Sequence, residues 1–174
     1  MSREVYIRAV VKLGAEDPDF REVITPMEAR RMGRLFKRAV WCSSKALQEA
    51  HLEMPDAIIT ATDYGCMENS EAFLQGVLNP EEGAMSPTRF MQSTHNTIGS
   101  LIAIRMHCHG YNATYSHTGC SFRSALEDAM MQLQLGDIDS ALVGWYDERT
   151  PAMDAMRLPG TEHAVALVLS VNPK

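Results

Sequence analysis

Nowhere does this sequence of 174 residues hold the roughly 20 consecutive apolar residues that a helix needs to cross a bilayer. Its opening, MSREVYIRAV, contains no apolar signal core. Neither a membrane span nor a secretory leader is therefore expected, and a cytoplasmic location is. An excess of basic residues is also missing. The formal charge is -6, whereas a general nucleic-acid binder needs a basic surface to displace counterions from phosphates. No two cysteines stand at CxxC spacing, and nothing points to an oxidising compartment, so Cys42, Cys66, Cys108 and Cys120 are expected as free thiols. Internal repeats and low-complexity tracts are absent as well. With 45% hydrophobic content, residues 1–174 read as one compact domain with enough apolar surface for a real core.

His107, Cys108, His109, His117 and Cys120 are close in sequence and carry zinc's preferred donors. Their spacing matches no zinc module, and a predicted strand separates His117 from the other two histidines. They read as ordinary side chains around a turn, and neither a metal nor a cofactor is expected.

Val5, Ile7, Ala9, Val11 and Leu13 alternate with Tyr6, Arg8 and Lys12, the period-two pattern of a first strand with one more deeply buried face. Thr25-Pro-Met-Glu28 reads as a capping box with proline at the first helical position, and Met32, Leu35, Phe36, Ala39, Val40 and Leu47 follow at helical spacing. One helix is expected from there to about Ala50. Further along, Ala57–Thr62 reads as a strand, Glu68–Leu78 as a helix stopped by Asn79-Pro80, and Glu81–Pro87 as a long loop. Thr94–Met106 is apolar around most of its circumference, the mark of a helix buried on nearly every side. Ala113–His117 is a third strand, Ser121–Leu135 a helix closed by Gly136 in the left-handed conformation, and Ser140–Val143 and Ala164–Val171 are further strands. Strands alternating with helices predict an α/β fold: three layers, αβα, around a five-stranded mixed sheet, mainly parallel, with the last strand antiparallel.

Several segments together resemble one family. Glu28-Ala-Arg-Arg-Met32 opens a long helix, Ala57-Ile-Ile-Thr-Ala-Thr-Asp-Tyr-Gly65 reads as strand and loop, and Ser86-Pro87 to Phe90 precedes Asn96 to Arg105. Gly110-Tyr-Asn112, Gly136-Asp-Ile-Asp139 to Gly144, Asp147-Glu148 and Glu162 to Leu169 follow in register. This order is similar to the N-terminal half of the β-ketoacyl synthases, which have the thiolase-like fold. In that family a nucleophilic cysteine ends the third strand where the next helix begins, and the helix N-terminus lowers its pKa and stabilises an oxyanion. Counting from Asn112 forward and from Gly136 back, the resemblance puts that position on Gly119, with Cys120 one residue out of line. Thr118-Gly-Cys-Ser121 taken alone resembles the nucleophile motif, which keeps Cys120 as the weaker candidate for an acyl acceptor. The family's C-terminal half supplies two catalytic histidines. None of His95, His107, His109, His117 and His163 matches them, so the resemblance implies a subunit without condensing activity of its own.

The family also implies a partner, either a full-length ketoacyl synthase or a second copy of this chain. Ala113, Thr114, Tyr115, Ser116 and His117 are expected at a sheet edge that meets the partner, and Ile98, Leu101 and Ile102 on a helix that a lone half leaves uncovered. Family members without the cysteine serve as chain-length factors, and short forms occur in aryl-polyene and related pigment biosynthesis; the sequence resembles those most. Arg30, Arg31, Arg34, Lys37 and Arg38 read as a basic stripe, either a solvated helix face or a dock for acidic acyl carrier protein. Trp145 and Tyr146 stand where the family has small residues, and either occupy space used by an acyl chain or simply pack.

Overall fold

The computed structural model describes residues 2–79, 81, 86–117 and 119–173. Strands β1 (Tyr6–Leu13), β2 (Ala57–Ala61), β3 (Tyr111–Tyr115), β4 (Ser140–Asp147) and β5 (His163–Ser170) form one sheet in the order β1-β5-β4-β2-β3. β2 runs parallel to both β3 and β4, while β5 is antiparallel to β4 and to β1. The sheet is therefore mixed, mainly parallel, and reversed only at its last strand, as expected.

Alternation along the strands sorts side chains into two cores. Ala9, Val11, Leu13, Ile58, Leu142, Ala166 and Val168 belong to one, and Ala57, Ile59, Ala61, Ala141, Val143, Leu167 and Leu169 to the other. β2 is buried on both faces, which explains its unbroken apolar run. In β1 the alternation fails at one point. Ile7 is 65% exposed because the register with β5 slips between Ile7 and Ala9. Such a bulge adds one residue and turns everything before it to the opposite face.

The capping box forms as predicted: the Glu28 N–H donates to Thr25 Oγ1 and the Thr25 N–H donates to Glu28 Oε2. The single long helix does not. It divides into α1 (Pro26–Ala29) and α2 (Arg34–Glu49), with Gly33 extended at the start of the second. Glycine inside a helix costs about 1 kcal/mol relative to alanine, so the break falls where continuity is weakest. α2 lays Leu35, Phe36, Ala39, Val40 and Leu47 against the sheet, and each large side chain contributes about 1.5–3 kcal/mol by burial.

α3 (Met67–Leu78) matches its prediction, although the Pro80 stop and most of the Glu81–Pro87 loop lie outside the described residues. α4 (Pro87–Gln92) has no counterpart among the expected elements, and α5 (Thr97–Met106) starts later than Thr94. α6 (Ser121–Leu135) ends at Gly136, φ 88°. A short α7 (Pro151–Ala155) follows β4. α2 and α5 contribute to the first core and α6 to the second, which yields the three layers. Among the described residues no helix is long and apolar enough to cross a membrane.

Candidate functional site

β3 pairs with β2 alone among the described residues and so forms one edge of the sheet. It ends at Tyr115, two residues earlier than expected, so Ser116 and His117 leave the strand and enter the turn toward α6. Thr118 lies outside the described residues. Gly119 has φ 79°, with open space where a side chain would begin. That left-handed conformation disfavours any residue with a Cβ. Cys120 caps α6, is exposed, and donates its N–H to the His117 carbonyl at 2.8 Å. The other thiols are more enclosed: burial pushes Cys42 up to about 12 and raises Cys66 further, which removes both as nucleophiles near neutral pH.

A chain of buried polar contacts fixes this turn. Ser121, the first residue of α6, is 1% exposed; its hydroxyl accepts the His117 N–H at 2.9 Å and donates to Asp63 Oδ1 at 2.5 Å. Asp63 follows β2, and its own N–H donates to both oxygens of Asp147 at 3.0 Å. Asp147 also accepts the Thr62 hydroxyl at 2.6 Å and the Tyr64 N–H at 3.2 Å. β4 thus holds the loop after β2, and that loop holds the start of α6. In the sequence Asp63 and Asp147 stand out only as members of segments that resemble the family. Ser121 is missed there, although a serine at the entrance to an apolar helix is a recognisable anchor. β4 runs to Asp147, beyond the predicted Val143, so Trp145, Tyr146 and Asp147 are strand residues.

His163 faces Asp147 from β5, Nε2 to Oδ2 at 3.5 Å, while Nδ1 donates to the Thr161 carbonyl at 2.9 Å. Burial raises the Asp147 carboxyl above its ordinary range and lowers the His163 imidazole; both shifts disfavour the charged pair. Trp145 packs between Phe122 of α6, at 5.2 Å and nearly parallel, and His163, at 3.8 Å. Tyr146 points to the opposite core, where its hydroxyl meets Ser43 at 2.6 Å. Both aromatic residues pack within the chain.

The remaining expected site residues separate. Ile98 and Ile102 are 3% and 1% exposed, already packed inside the chain and unavailable to a partner. Leu101 is half-buried, and Ile104 is the open apolar residue of α5 at 72%. The expected basic stripe is not one surface. Arg38 is 1% exposed and bonds to Asp17 Oδ1 and the Gly14 carbonyl, both at 2.5 Å. Arg34 is held by Asp17 and Glu162. Among the described residues of the stripe, Arg30 and Arg31, in the break before α2, are exposed without such ties to other described residues, and Lys37 is half-buried. The helix break and the carboxylates of neighbouring loops undo the stripe. Among the described residues no group of three histidine, cysteine or acidic side chains is arranged to hold a metal.

Residues 8–174 match the family model of the β-ketoacyl synthase N-terminal domain. No curated protein matches the sequence. Among solved structures, the ketosynthase ApeO in complex with its chain length factor ApeC from Xenorhabdus doucetiae aligns with a TM-score of 0.72 at 20% identity, over 98% of this chain and 79% of that one. The ishigamide ketosynthase/chain length factor aligns at 0.73 and 21% identity, over 87% of this chain and 47% of that one. A β-ketoacyl synthase from Burkholderia phymatum aligns at 0.75 and 16% identity, over 98% and 59%. The chain thus spans about half the length of the last two. At these identities the likeness shows the shared fold.

Proposed function

This chain belongs to the β-ketoacyl synthase family through its N-terminal domain, and from that premise we propose that it is a catalytically incomplete subunit that pairs with a full-length ketoacyl synthase. Its role is that of a chain-length factor in bacterial fatty-acid, polyketide or aryl-polyene-type biosynthesis. The observation that carries this reading is the turn before α6. The position read as the nucleophile's is Gly119, at φ 79°, and the nearest thiol in sequence belongs to the next residue. One step at a helix start rotates a side chain by about 100°. Cys120 is therefore misdirected for the chemistry that a thiol at Gly119 would perform.

Pairing is supported by the edge strand. A strand with one unpaired side is a template for another chain, and a two-fold contact there joins two sheets into one. Ala113, Thr114 and Tyr115 supply that edge, Ser116 and His117 continue it into the turn, and Leu101 lies on the adjacent α5. The solved ketosynthase–chain length factor complex with the same fold supports the same partner class. Of the expected stripe, Arg30 and Arg31 are the exposed cations left to meet an acidic acyl carrier protein.

Co-expression with a full-length ketoacyl synthase from the same organism tests the proposal. Stable copurification, with altered product length when this chain is deleted, is the expected result. A well-behaved homodimer with no affinity for the synthase overturns it in favour of a homodimeric acyl-binding or regulatory module. The exposure of Cys120 favours a second reading, in which this thiol accepts an acyl group and a partner supplies the histidines. Incubation with acyl carrier protein thioesters and intact-mass measurement separates the two: an adduct that disappears in Cys120→Ser establishes the second.

A further inference from the structure

The arm formed by α3 and α4 is thinly buried. Neither helix has a buried residue, and Leu78 is 77% exposed. Phe73 and Phe90 join the two helices at 5.2 Å. Polar contacts tie the arm back to the body. The Glu68 N–H, in the first turn of α3, donates to Glu148 Oε1 at 2.8 Å; the Thr150 hydroxyl donates to the Glu71 carboxylate; and the Gln92 side-chain amide donates to the Arg31 carbonyl at 3.2 Å.

Glu148 lies beyond the end of β4, beside a cavity of about 230 Å³ between α2, α3 and the β4–α7 loop. Three other glutamates line the cavity: Glu68 and Glu71 from α3, and Glu162 from the segment before β5. Among the described residues none of its three guanidinium groups pairs with Glu148. Arg34 of α2 holds Asp17 and Glu162, Arg38 of α2 holds Asp17 and the Gly14 carbonyl, and Arg149 holds Asp154 and the carbonyls of Leu158 and Gly160. The neighbouring Asp147 is occupied by the loop after β2 and faces His163. Among the described residues Glu148 accepts one N–H from α3 and forms no ion pair. A carboxylate in that setting loses water and faces like charge.

We propose that Glu148 is a proton-operated latch for the α3–α4 arm: neutral, it holds the first turn of α3 against the end of the sheet, and ionised, it lets the arm lift. Burial first, joined by the charges of Glu68, Glu71 and Glu162, outweighs the Glu68 N–H bond, which favours the ionised form, and pushes the closed-state carboxyl up to about 7. A lifted arm returns Glu148 to water and to the ordinary carboxyl value of 4.5. The closed state therefore binds the extra proton. Its advantage is complete below the lower value and is lost as pH rises through the upper one. The latch is independent of the pairing proposed above, because every group in it belongs to this chain.

Amide hydrogen exchange tests the latch, measured at about pH 5.5 and about pH 7.5 and corrected for intrinsic rates, with the α6 amides as internal reference. Protection of the α3 amides is expected to fall on the order of tenfold over that interval while α6 stays constant. Glu148→Gln keeps an oxygen acceptor for the Glu68 N–H but no charge. In that variant α3 protection becomes equal at both pH values, and at the higher pH exceeds that of the unmodified protein. Constant α3 protection in the unmodified protein overturns the latch, and so does an undiminished fall in Glu148→Gln. If the variant does not fold, the pH dependence of the unmodified protein still supports or overturns the latch by itself.

Discussion

The turn into α6 and the α3–α4 arm both follow parallel strands at the same end of the sheet, yet they are held in opposite ways. The turn hangs from buried groups: Asp147 takes the hydroxyl of Thr62 and the N–H groups of Asp63 and Tyr64, and Asp63 takes the hydroxyl of Ser121. Hydrogen bonds contribute about 0.5–1.5 kcal/mol each, and breaking one here strands partners away from water. The arm has no buried residue and rests on contacts that water can replace. A turn of this kind keeps its shape whether or not it performs chemistry. An arm of this kind changes position for a small change in free energy.

The contrast breaks first, if it breaks at all, at Asp147. Asp147→Ala is expected to destabilise the whole chain by roughly 3–5 kcal/mol in urea unfolding, because several buried donors lose their acceptor together; a loss of under about 1 kcal/mol means that the turn is not held in this way. Ser121→Ala removes one link and is expected to cost about 1–2 kcal/mol by the same measurement. Gly119→Cys sharpens the functional side. It places a thiol at the position that the family resemblance assigns to the nucleophile but forces a Cβ into left-handed backbone, at about 1–2 kcal/mol, and it is expected to produce no condensation of malonyl carrier protein in a product assay of this chain alone. On the arm, Leu78→Ser is expected to change global stability by no more than about 0.5 kcal/mol, since Leu78 is already 77% exposed.

Local signals carried much of the fold. Thr25 and Glu28 announce a capping box and Gly136 a left-handed stop, and both are present; the edge place of the strand before Gly119, which the family resemblance implies, is present too. The same signal that marks Thr25-Pro26 recurs at Thr150-Pro151 and opens α7, where Thr150 accepts the Met153 N–H. Nothing after it confirms a helix, because α7 is too short to show an apolar period. The break at Gly33 is hidden for the converse reason: helical spacing runs on across it, from Met32 to Leu35, and periodicity does not register a change in direction. The Arg8 bulge leaves no mark either, since alternation in β1 is continuous in the sequence and only its pairing with β5 slips.

The candidate site was legible in its outline and not in its wiring. Gly119 and Cys120 enter as candidates by counting along the chain against the family resemblance, a one-dimensional property, and their role stands as a proposal. Arg38 looks like part of a surface stripe because helical spacing places it beside Arg34, but its carboxylate partner, Asp17, comes from a loop before the helix. Ile98 and Ile102 look available to a partner because their helix is apolar on most sides, until α2 and the sheet cover one of those sides.

By itself, the sequence determined the elements whose causes lie within a few residues: caps, stops and the alternation of buried strands. Tertiary structure alone decided which carboxylate meets which donor, which arginine is buried, and how firmly each loop is held. Those outcomes depend on groups as far apart as Thr62 and Asp147 or Asp63 and Ser121. Burial and charge at such a meeting point are properties of the packed chain, and no local pattern encodes them.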